Sequence, residues 1–393
     1  SMPFHAMQHM NLMKSDSSLK IGSTLRVKVE GIGSFGEGLA RENDLDIFIP
    51  KTCRGDEVDV EILEQKKGRY RAQVKVLISA GEDRRSASCK HFEICGGCDF
   101  QHISYDEQLA WKLRMTKHWI RRSPLAPWLD KIDFDQIPSP REFGYRHRAR
   151  LQVKNGKLHF FKPHSNDIFE ISECPILVDG FLDALKAKAS NLPDTKDWSQ
   201  SFENGQLIDG KASYEMDGET ISYDEQCFTQ GNLEVNTAIW ERIREDLHGV
   251  ERLQSALDLY CGVGNFSLPL AKYFKEVTGV EMESQSLNWA RKNSDKIRWI
   301  PGKVEEVLSS LEKERAFYDF VLLDPPRAGA NTSVRILQRL MPPKITYVSC
   351  NLESLVQDLV LLVKQGGYKI KRWTVADMFP QTHHIESVVS LSK

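Results

Sequence analysis

The chain has 393 residues, of which 53 are Lys or Arg and 55 Asp or Glu, giving a formal net charge of −2. That balance, with 40% hydrophobic content, excludes a uniformly basic nucleic-acid coat and a disordered acidic protein, while the length allows two to four domains with cores of their own. No apolar run approaches the roughly 18 residues that span a bilayer and no secretory segment is evident, so a soluble, cytoplasmic protein without a membrane partner is expected.

Residues 1–18, opening on an expression remnant Ser1-Met2, read as a loose Met/His/Ser-rich tail. Residues 19–79 read as a small β-module. Thr24 to Glu30 alternates as a half-buried strand does, Gly31, Gly33, Gly36 and Gly38 crowd the next turn, and Asp46–Pro50, Val58–Leu63 and Tyr70–Ile78 follow as strands. Four or five strands in about 60 residues fit a closed barrel of the OB type.

Residues 80–229 are expected to form a central α+β domain. It opens on a cysteine-rich loop, continues in a helix over about Tyr105–Arg122, and crosses a stretch broken by Pro124, Pro127, Pro138 and Pro140. Strands are expected within 143–176 and 203–223, around a helical segment near 179–190. From residue 230 to 393 helices alternate with apolar strands at Ser255–Tyr260, Val277–Glu281, Phe320–Asp324 and Ile345–Cys350, the pattern of a parallel, doubly wound, Rossmann-like α/β domain.

The eight cysteines lie at 53, 89, 95, 98, 174, 227, 261 and 350. Without a secretory signal, free, metal-bound or catalytic thiols are expected in preference to disulfides. Cys89, Cys95 and Cys98 form C-x5-C-x2-C, with two glycines between the last pair, and Cys174 follows Cys98 after 75 intervening residues, just before Pro175. Four thiolates suit tetrahedral Zn or an iron–sulfur cluster, and the spacing does not choose between them. His91 and His102 are possible substitutes. His383 and His384 have no third partner nearby and make a poor metal pair.

Further on, Tyr260-Cys261-Gly262-Val263-Gly264-Asn265-Phe266-Ser267 sets a G-x-G turn between an apolar strand and a helix. Such a turn lets the backbone approach a ligand, and Glu281, seventeen residues past Gly264 at the next strand end, is placed to accept ribose hydroxyls. NAD and S-adenosylmethionine both fit, and Ser267 in place of a third glycine favours the latter. Asp324-Pro325-Pro326-Arg327 ends the following strand in a stiff turn at the ligand edge of the sheet. Cys350 ends the strand after that, where a nucleophile belongs, although a buried structural thiol is the common alternative. Glu386 precedes the last apolar run and alone would be unremarkable.

In combination these segments resemble the RNA uracil-C5 methyltransferase family, in its iron–sulfur, TRAM-containing ribosomal RNA branch. The resemblance runs over about residues 20–393. It rests on Gly33–Phe48, Cys89–Gln101, Cys174-Pro175, Phe228-Thr229-Gln230-Gly231-Asn232, DLYCGVGNFS, DPPRAG, SCN and HHIE, in that order. The resemblance implies that residues 19–79 are a TRAM barrel and that Gln230, Tyr260, Asn265, Glu281 and Asp324 contact S-adenosylmethionine above the Gly262–Gly264 turn. It further implies that Cys350 is the nucleophile, Glu386 the base, and Cys89, Cys95, Cys98 and Cys174 the ligands of a [4Fe-4S] cluster of structural role. It also implies an RNA partner, 23S ribosomal RNA or a pre-ribosomal particle, with transfer RNA the lesser alternative, and a monomer. Leu352 departs from the pattern, which carries proline after Ser-Cys-Asn. Amine methylation of nucleic acid and a non-catalytic Fe–S RNA-binding protein are the competing functions.

Two basic stretches supply an RNA surface. Lys112, Arg114, Lys117, Arg121 and Arg122 fall within eleven residues without an acid, with Trp111 just before them and Trp119 among them. Six more basic residues lie between Arg141 and Lys157 against Glu142 alone. Residues 81–160 carry a net +5, so the remainder sums to −7. The neutral total conceals a basic central segment.

Overall fold

The computed structural model describes residues 18–393; most of the expected tail lies outside them. The chain divides into two compact units, the first ending at Arg84 and the second running from Arg85 to Lys393. Among the described residues no helix is long and apolar enough to cross a membrane.

The first unit holds β1 (Thr24–Lys28), β2 (Gly31–Ile32), β3 (Gly38–Glu42), β4 (Leu45–Ile49), β5 (Glu57–Lys66) and β6 (Arg69–Ser79), in sheet order β1-β5-β6-β4-β3-β2. Its two edges are one bent strand. Only Val29 and Glu30 separate β1 from β2, and the Glu30 amide donates to the Leu39 carbonyl of β3 at 2.8 Å, so the sheet closes on itself. Alternation turns Val58, Val60 and Ile62 of β5 inward against Ile47 and Ile49 of β4. Gly38 is required by packing, because a Cβ there would lie 1.8 Å from the Thr52 hydroxyl. The OB-like barrel read from the sequence is present.

The second unit opens with the cysteine loop and α1 (Tyr105–Arg121), which is capped by the Ser104 hydroxyl and carries Asp106 and Glu107 in its first turn. Next come β7 (Asp133–Ile137), β8 (Arg148–Lys154), β9 (Lys157–Phe161), β10 (Ile168–Glu170), α2 (Phe181–Ala189), β11 (Thr195–Glu203), β12 (Gln206–Leu207), β13 (Ala212–Met216) and β14 (Glu219–Tyr223). Strands β8 to β12 make a five-stranded sheet that packs on α2, and β13–β14 form a hairpin. The remaining elements are α3 (Leu233–Leu247), β15 (Ser255–Leu259), α4 (Ser267–Leu270), β16 (Glu276–Glu281), α5 (Ser284–Asn293), β17 (Arg298–Pro301), α6 (Val304–Lys313), β18 (Phe320–Leu323), α7 (Asn331–Leu340), β19 (Lys344–Ser349), α8 (Leu352–Val360), β20 (Lys369–Ala376) and β21 (Glu386–Ser392).

These build an eight-stranded sheet of order β17-β16-β15-β18-β19-β21-β20-β7. The pairs from β17 to β19 are parallel, and β21 enters antiparallel between β19 and β20. Both faces are covered, which is why β18 reads as an unbroken apolar run. On one face Ala256, Phe320, Leu322 and Val388 join Trp240 and Ile243 of α3 and the β13–β14 hairpin in one core. On the other, Tyr347 donates to Asp358 of α8 at 2.5 Å. β7 was hidden among prolines in the sequence, yet it adds the last strand, parallel to β20, with Phe134 stacked on the buried Trp373. The chain reverses direction across the sheet between β15 and β18, and ligands of such sheets bind at the carboxyl ends beside that point.

Candidate active site

The parallel register brings the predicted site residues to one edge. Leu259 lies opposite Val280 on one side and Leu323 on the other, so Tyr260, Glu281 and Asp324 all stand one step beyond this row of three. Across the antiparallel pair Ser349 faces Ser387, so Cys350 and Glu386 are the next two residues in register and neighbours across it. Glu386 also opens β21 opposite Ala376.

The turn after β15 is sharp because Tyr260 (φ +64°), Gly262 (φ +56°) and Gly264 (φ +94°) all take the left-handed conformation. At Gly264 a side chain would strike Leu268 at 2.5 Å and Trp299 at 3.0 Å, whereas at Gly262 it would enter open space. The turn thus offers bare backbone on its open side. The Glu281 carboxylate accepts from the Gly262 amide at 2.9 Å and the Glu283 amide at 2.7 Å. The Tyr260 hydroxyl meets that of Ser333 at 3.0 Å. Asn265 lies differently from the rest. Its amide exchanges hydrogen bonds with that of Asn236 at 2.9 and 3.0 Å and accepts from the Tyr214 hydroxyl at 2.6 Å, which ties the turn to α3 and β13. Gln230 sits on the segment before α3. Its carbonyl lies 3.1 Å from a ring nitrogen of His147, whose burial pushes the imidazole down to about 4.

Acids crowd this edge. Burial pushes Asp324 up to about 7, and burial opposed by the Ser267 hydroxyl leaves Asp258 at about 7 as well, Asp324 and Glu281 adding to the rise. Glu386 is buried, and burial followed by the charge of Asp324 lifts its carboxyl well above the usual range. Burial, then Glu386 and Asp324, push the Cys350 thiol up to about 11, while Arg327 pulls it down.

The turn that carries Cys350 is well fastened. Asn351 caps α8 by accepting from the amides of Glu353 at 2.9 Å and Ser354 at 3.3 Å, and the Ser349 hydroxyl accepts from the Asn351 amide at 3.1 Å. Leu352 therefore fills the first helical position, where proline is favoured but not required. The departure from the family pattern at Leu352 leaves these bonds in place. The Ser354 hydroxyl donates to the Arg327 carbonyl at 3.0 Å, and Asp358 accepts from the Ala330 amide at 2.7 Å, so α8 also fixes the Asp-Pro-Pro-Arg turn. Sequence reasoning gave no role to Asp258 and did not anticipate that Arg327 faces the thiol. A buried acid one residue before the end of β15 was the available signal.

The cysteines expected as metal ligands converge in part. Cys89, Cys98 and Cys174 border one small cluster with Phe92, Tyr145 and Ile176. Burial, then Cys95 and Cys89, push the Cys174 thiol up to about 12. Among the described residues, however, no group of three or more His, Cys, Asp or Glu is spaced to hold a metal ion.

Both basic stretches need correction. Lys112 is fully buried, donating to Asp377 at 2.6 Å and to the Phe379 carbonyl at 3.2 Å, and Trp111 packs edge-on against Phe100 in the core. Arg114 pairs with Glu107, and Lys117 lies 4.9 Å from the Phe134 ring. In the second stretch Arg148 donates to the Cys227 and Glu225 carbonyls, while Arg150 and Lys157 pair with Asp197 and Glu170 on neighbouring strands. Arg121 and Arg122 remain exposed at the end of α1.

A glycine turn after the first strand of a doubly wound sheet, with acids at the ends of the strands beside it, defines an S-adenosylmethionine-dependent methyltransferase. Residues 210–393 match the family model described as tRNA (Uracil-5-)-methyltransferase, and residues 18–75 match the TRAM domain. The chain is 31% identical to the 23S rRNA (uracil(1939)-C(5))-methyltransferase RlmD of Shewanella amazonensis, over 95% of this chain and 97% of that one. The protein of the same name from Salmonella typhi is 30% identical over 93% and 95%. A crystal structure of Pyrococcus abyssi tRNA (uracil-54, C5)-methyltransferase with S-adenosyl-L-homocysteine superposes with a TM-score of 0.72 at 23% identity, over 93% of this chain and 99% of that one, and so shares the fold. The chain belongs to the RNA uracil-C5 methyltransferase family. It is an RNA methyltransferase that uses S-adenosylmethionine and carries a TRAM domain ahead of its catalytic fold.

Proposed function

We propose that the chain methylates C5 of a uridine in 23S ribosomal RNA, with Cys350 as nucleophile and Glu386 as base. The observation that carries this reading is the adjacency of Cys350 and Glu386 across the β19–β21 pair, at the sheet edge that also holds Asp324 and the open glycine turn. The names of the relatives supply the RNA.

Uracil C5 is a weak nucleophile. The Cys350 thiol gives its proton to solvent as its sulfur adds to C6, and the C5–C6 electron pair moves onto O4 as an enolate, which concentrates density on C5. S-adenosylmethionine supplies the methyl group, C5 taking its carbon as the carbon–sulfur bond breaks toward sulfur. Glu386 then takes the C5 proton, the C5–H pair re-forms the double bond, and the thiolate leaves. Neither residue is needed to methylate an exocyclic amine. Asp324, Glu281, Tyr260 and Gln230, with the Gly262–Gly264 turn, bind the methyl donor. Asn265 supports that turn from behind through Asn236 and Tyr214. The donor's cationic sulfonium and ammonium favour the ionised form of Asp324, which burial disfavours.

A [4Fe-4S] cluster on Cys89, Cys95, Cys98 and Cys174 belongs to the same reading. Donor chemistry supports it: Cys89, Cys98 and Cys174 border one cluster with Phe92 and Tyr145, and Cys95 is among the groups that raise the Cys174 thiol. Such a cluster would order the loop without entering the chemistry. Residues 19–79 and 80–229 would bind the RNA and residues 230–393 methylate it, in the cytoplasm and as a monomer.

Two substitutions test the mechanism. Cys350→Ala abolishes methylation and leaves S-adenosylmethionine affinity within about twofold, and full turnover by that variant would sink the assignment. Glu386→Gln accumulates a protein–RNA adduct on a denaturing gel, because addition proceeds while elimination stalls, with a rate loss of about 10²–10⁴-fold. Mapping 5-methyluridine in RNA from cells lacking the protein identifies the substrate, and its loss from transfer RNA alone would overturn the ribosomal choice.

A further inference from the structure

Glu386 is delivered by a connector, residues 377–385, that contains neither helix nor strand. Its order comes from elsewhere, chiefly through Gln381, which the mechanism does not use. Gln381 is 0% exposed and holds φ at +71°, a conformation that non-glycine residues keep only where the surroundings dictate it. Its side-chain oxygen accepts from the Gln108 amide at 3.0 Å and from Arg85 at 3.2 Å, and its side-chain nitrogen donates to the Glu142 carbonyl and carboxylate, each at 3.1 Å. Its backbone amide donates to the Gln108 side chain at 3.0 Å, and its carbonyl accepts from the amides of Asp99 at 2.8 Å and Phe100 at 3.0 Å. Two residues on, the His383 amide and ring nitrogen both meet the Asp99 carboxylate, at 3.0 and 2.6 Å.

Four separate segments of the second unit therefore converge on one side chain and its backbone, five residues before the base. A primary amide suits that place because it presents acceptor and donors together, and both are consumed. We propose that Gln381 is a positioning residue: it clamps the connector to the cysteine loop and α1, so that Glu386 meets the C5 proton of the Cys350-bound uracil. The proposal rests on the reading of Glu386 as base. It separates the connector's anchor from the donor site, which lies at β15, β16 and β18.

The test uses the full chain, a 23S ribosomal RNA fragment carrying the unmodified target uridine, and S-adenosylmethionine, with Glu386→Gln run in parallel. Gln381→Ala is expected to lower turnover on the order of 10²-fold, as small misplacements of reacting groups do, while donor affinity stays within about twofold and the denaturing-gel adduct accumulates. Turnover near that of the unmodified protein, or lost turnover without adduct, overturns the proposal. Should Gln381→Ala fail to fold, Asp99→Ala, on a part-exposed residue, removes the two bonds to His383; adduct accumulation there supports the clamp and its absence overturns it. If Glu386→Gln itself gives no adduct, the assignment of the base falls, and the clamp's purpose with it. An adduct with Glu386→Gln but none with Gln381→Ala removes only the clamp.

Discussion

Asp324 is the residue through which donor binding responds to pH. Its carboxyl lies at about 7 because it is buried, so half the molecules carry it neutral near neutrality. A cationic methyl donor favours the ionised form and pulls that value down, so binding expels a proton wherever the free carboxyl is still protonated. The sign follows: affinity rises with pH up to about 7 and levels off above it, where the free protein has already lost the proton. Titration calorimetry from about pH 6 to about pH 8, in two buffers of different ionisation enthalpy, is expected to show a Kd falling several-fold and proton release confined to the lower half of the range. Asp324→Asn removes the slope and weakens binding throughout. A pH-independent Kd in the unsubstituted protein would rule out this linkage.

At the scale of elements, helix α1 separates what the sequence made legible from what it did not. Its limits were readable from Ser104, the acids of the first turn and the prolines beyond, because caps and breakers are local. Its function was misread, because Lys112 counts as a positive charge in any window while its burial depends on Asp377, 265 residues away. The signal lay in the period: Gln108, Trp111, Lys112, Thr116 and Ile120 form the inward stripe, three of them polar and each bonded inside. Likewise the apolar runs of β15, β16, β18 and β19 announced a doubly wound sheet, and their ends announced the site. β7 and the 377–385 connector did not show, since each is stabilised by partners remote in sequence. Removing Lys112 leaves the Asp377 charge buried, with the Tyr105 hydroxyl still donating to it at 2.7 Å. Lys112→Ala is expected to cost about 3–5 kcal/mol, read as a lower urea midpoint with little change in slope. Lys112→Met with Asp377→Leu should restore most of that, since no charge is then stranded. A midpoint unmoved by Lys112→Ala would show that the pair contributes nothing.

Over the whole molecule, charge total and charge available to RNA are different quantities. The +5 carried by residues 81–160 shrinks once partners are assigned, for Lys112, Arg114, Arg141, Arg150 and Lys157 each face a carboxylate. Arg148 is turned inward onto backbone carbonyls. The last turn of α1 is different. Arg121 and Arg122 are exposed there, beside a helix C-terminus whose dipole favours cations, and they are free to meet phosphate. Each phosphate neutralised releases counterions, so the number of contacts appears as the slope of log Kd against log salt. If these two arginines lie on the RNA path, Arg121→Glu with Arg122→Glu weakens binding to a ribosomal RNA fragment and lowers the slope by about 2, with donor affinity unchanged. Filter binding between about 50 and 200 mM salt measures both quantities. Weaker binding with an unaltered slope would assign the loss to a fold defect, and an unaltered slope with unaltered affinity would remove the end of α1 from the RNA surface and leave capture to other parts of the chain.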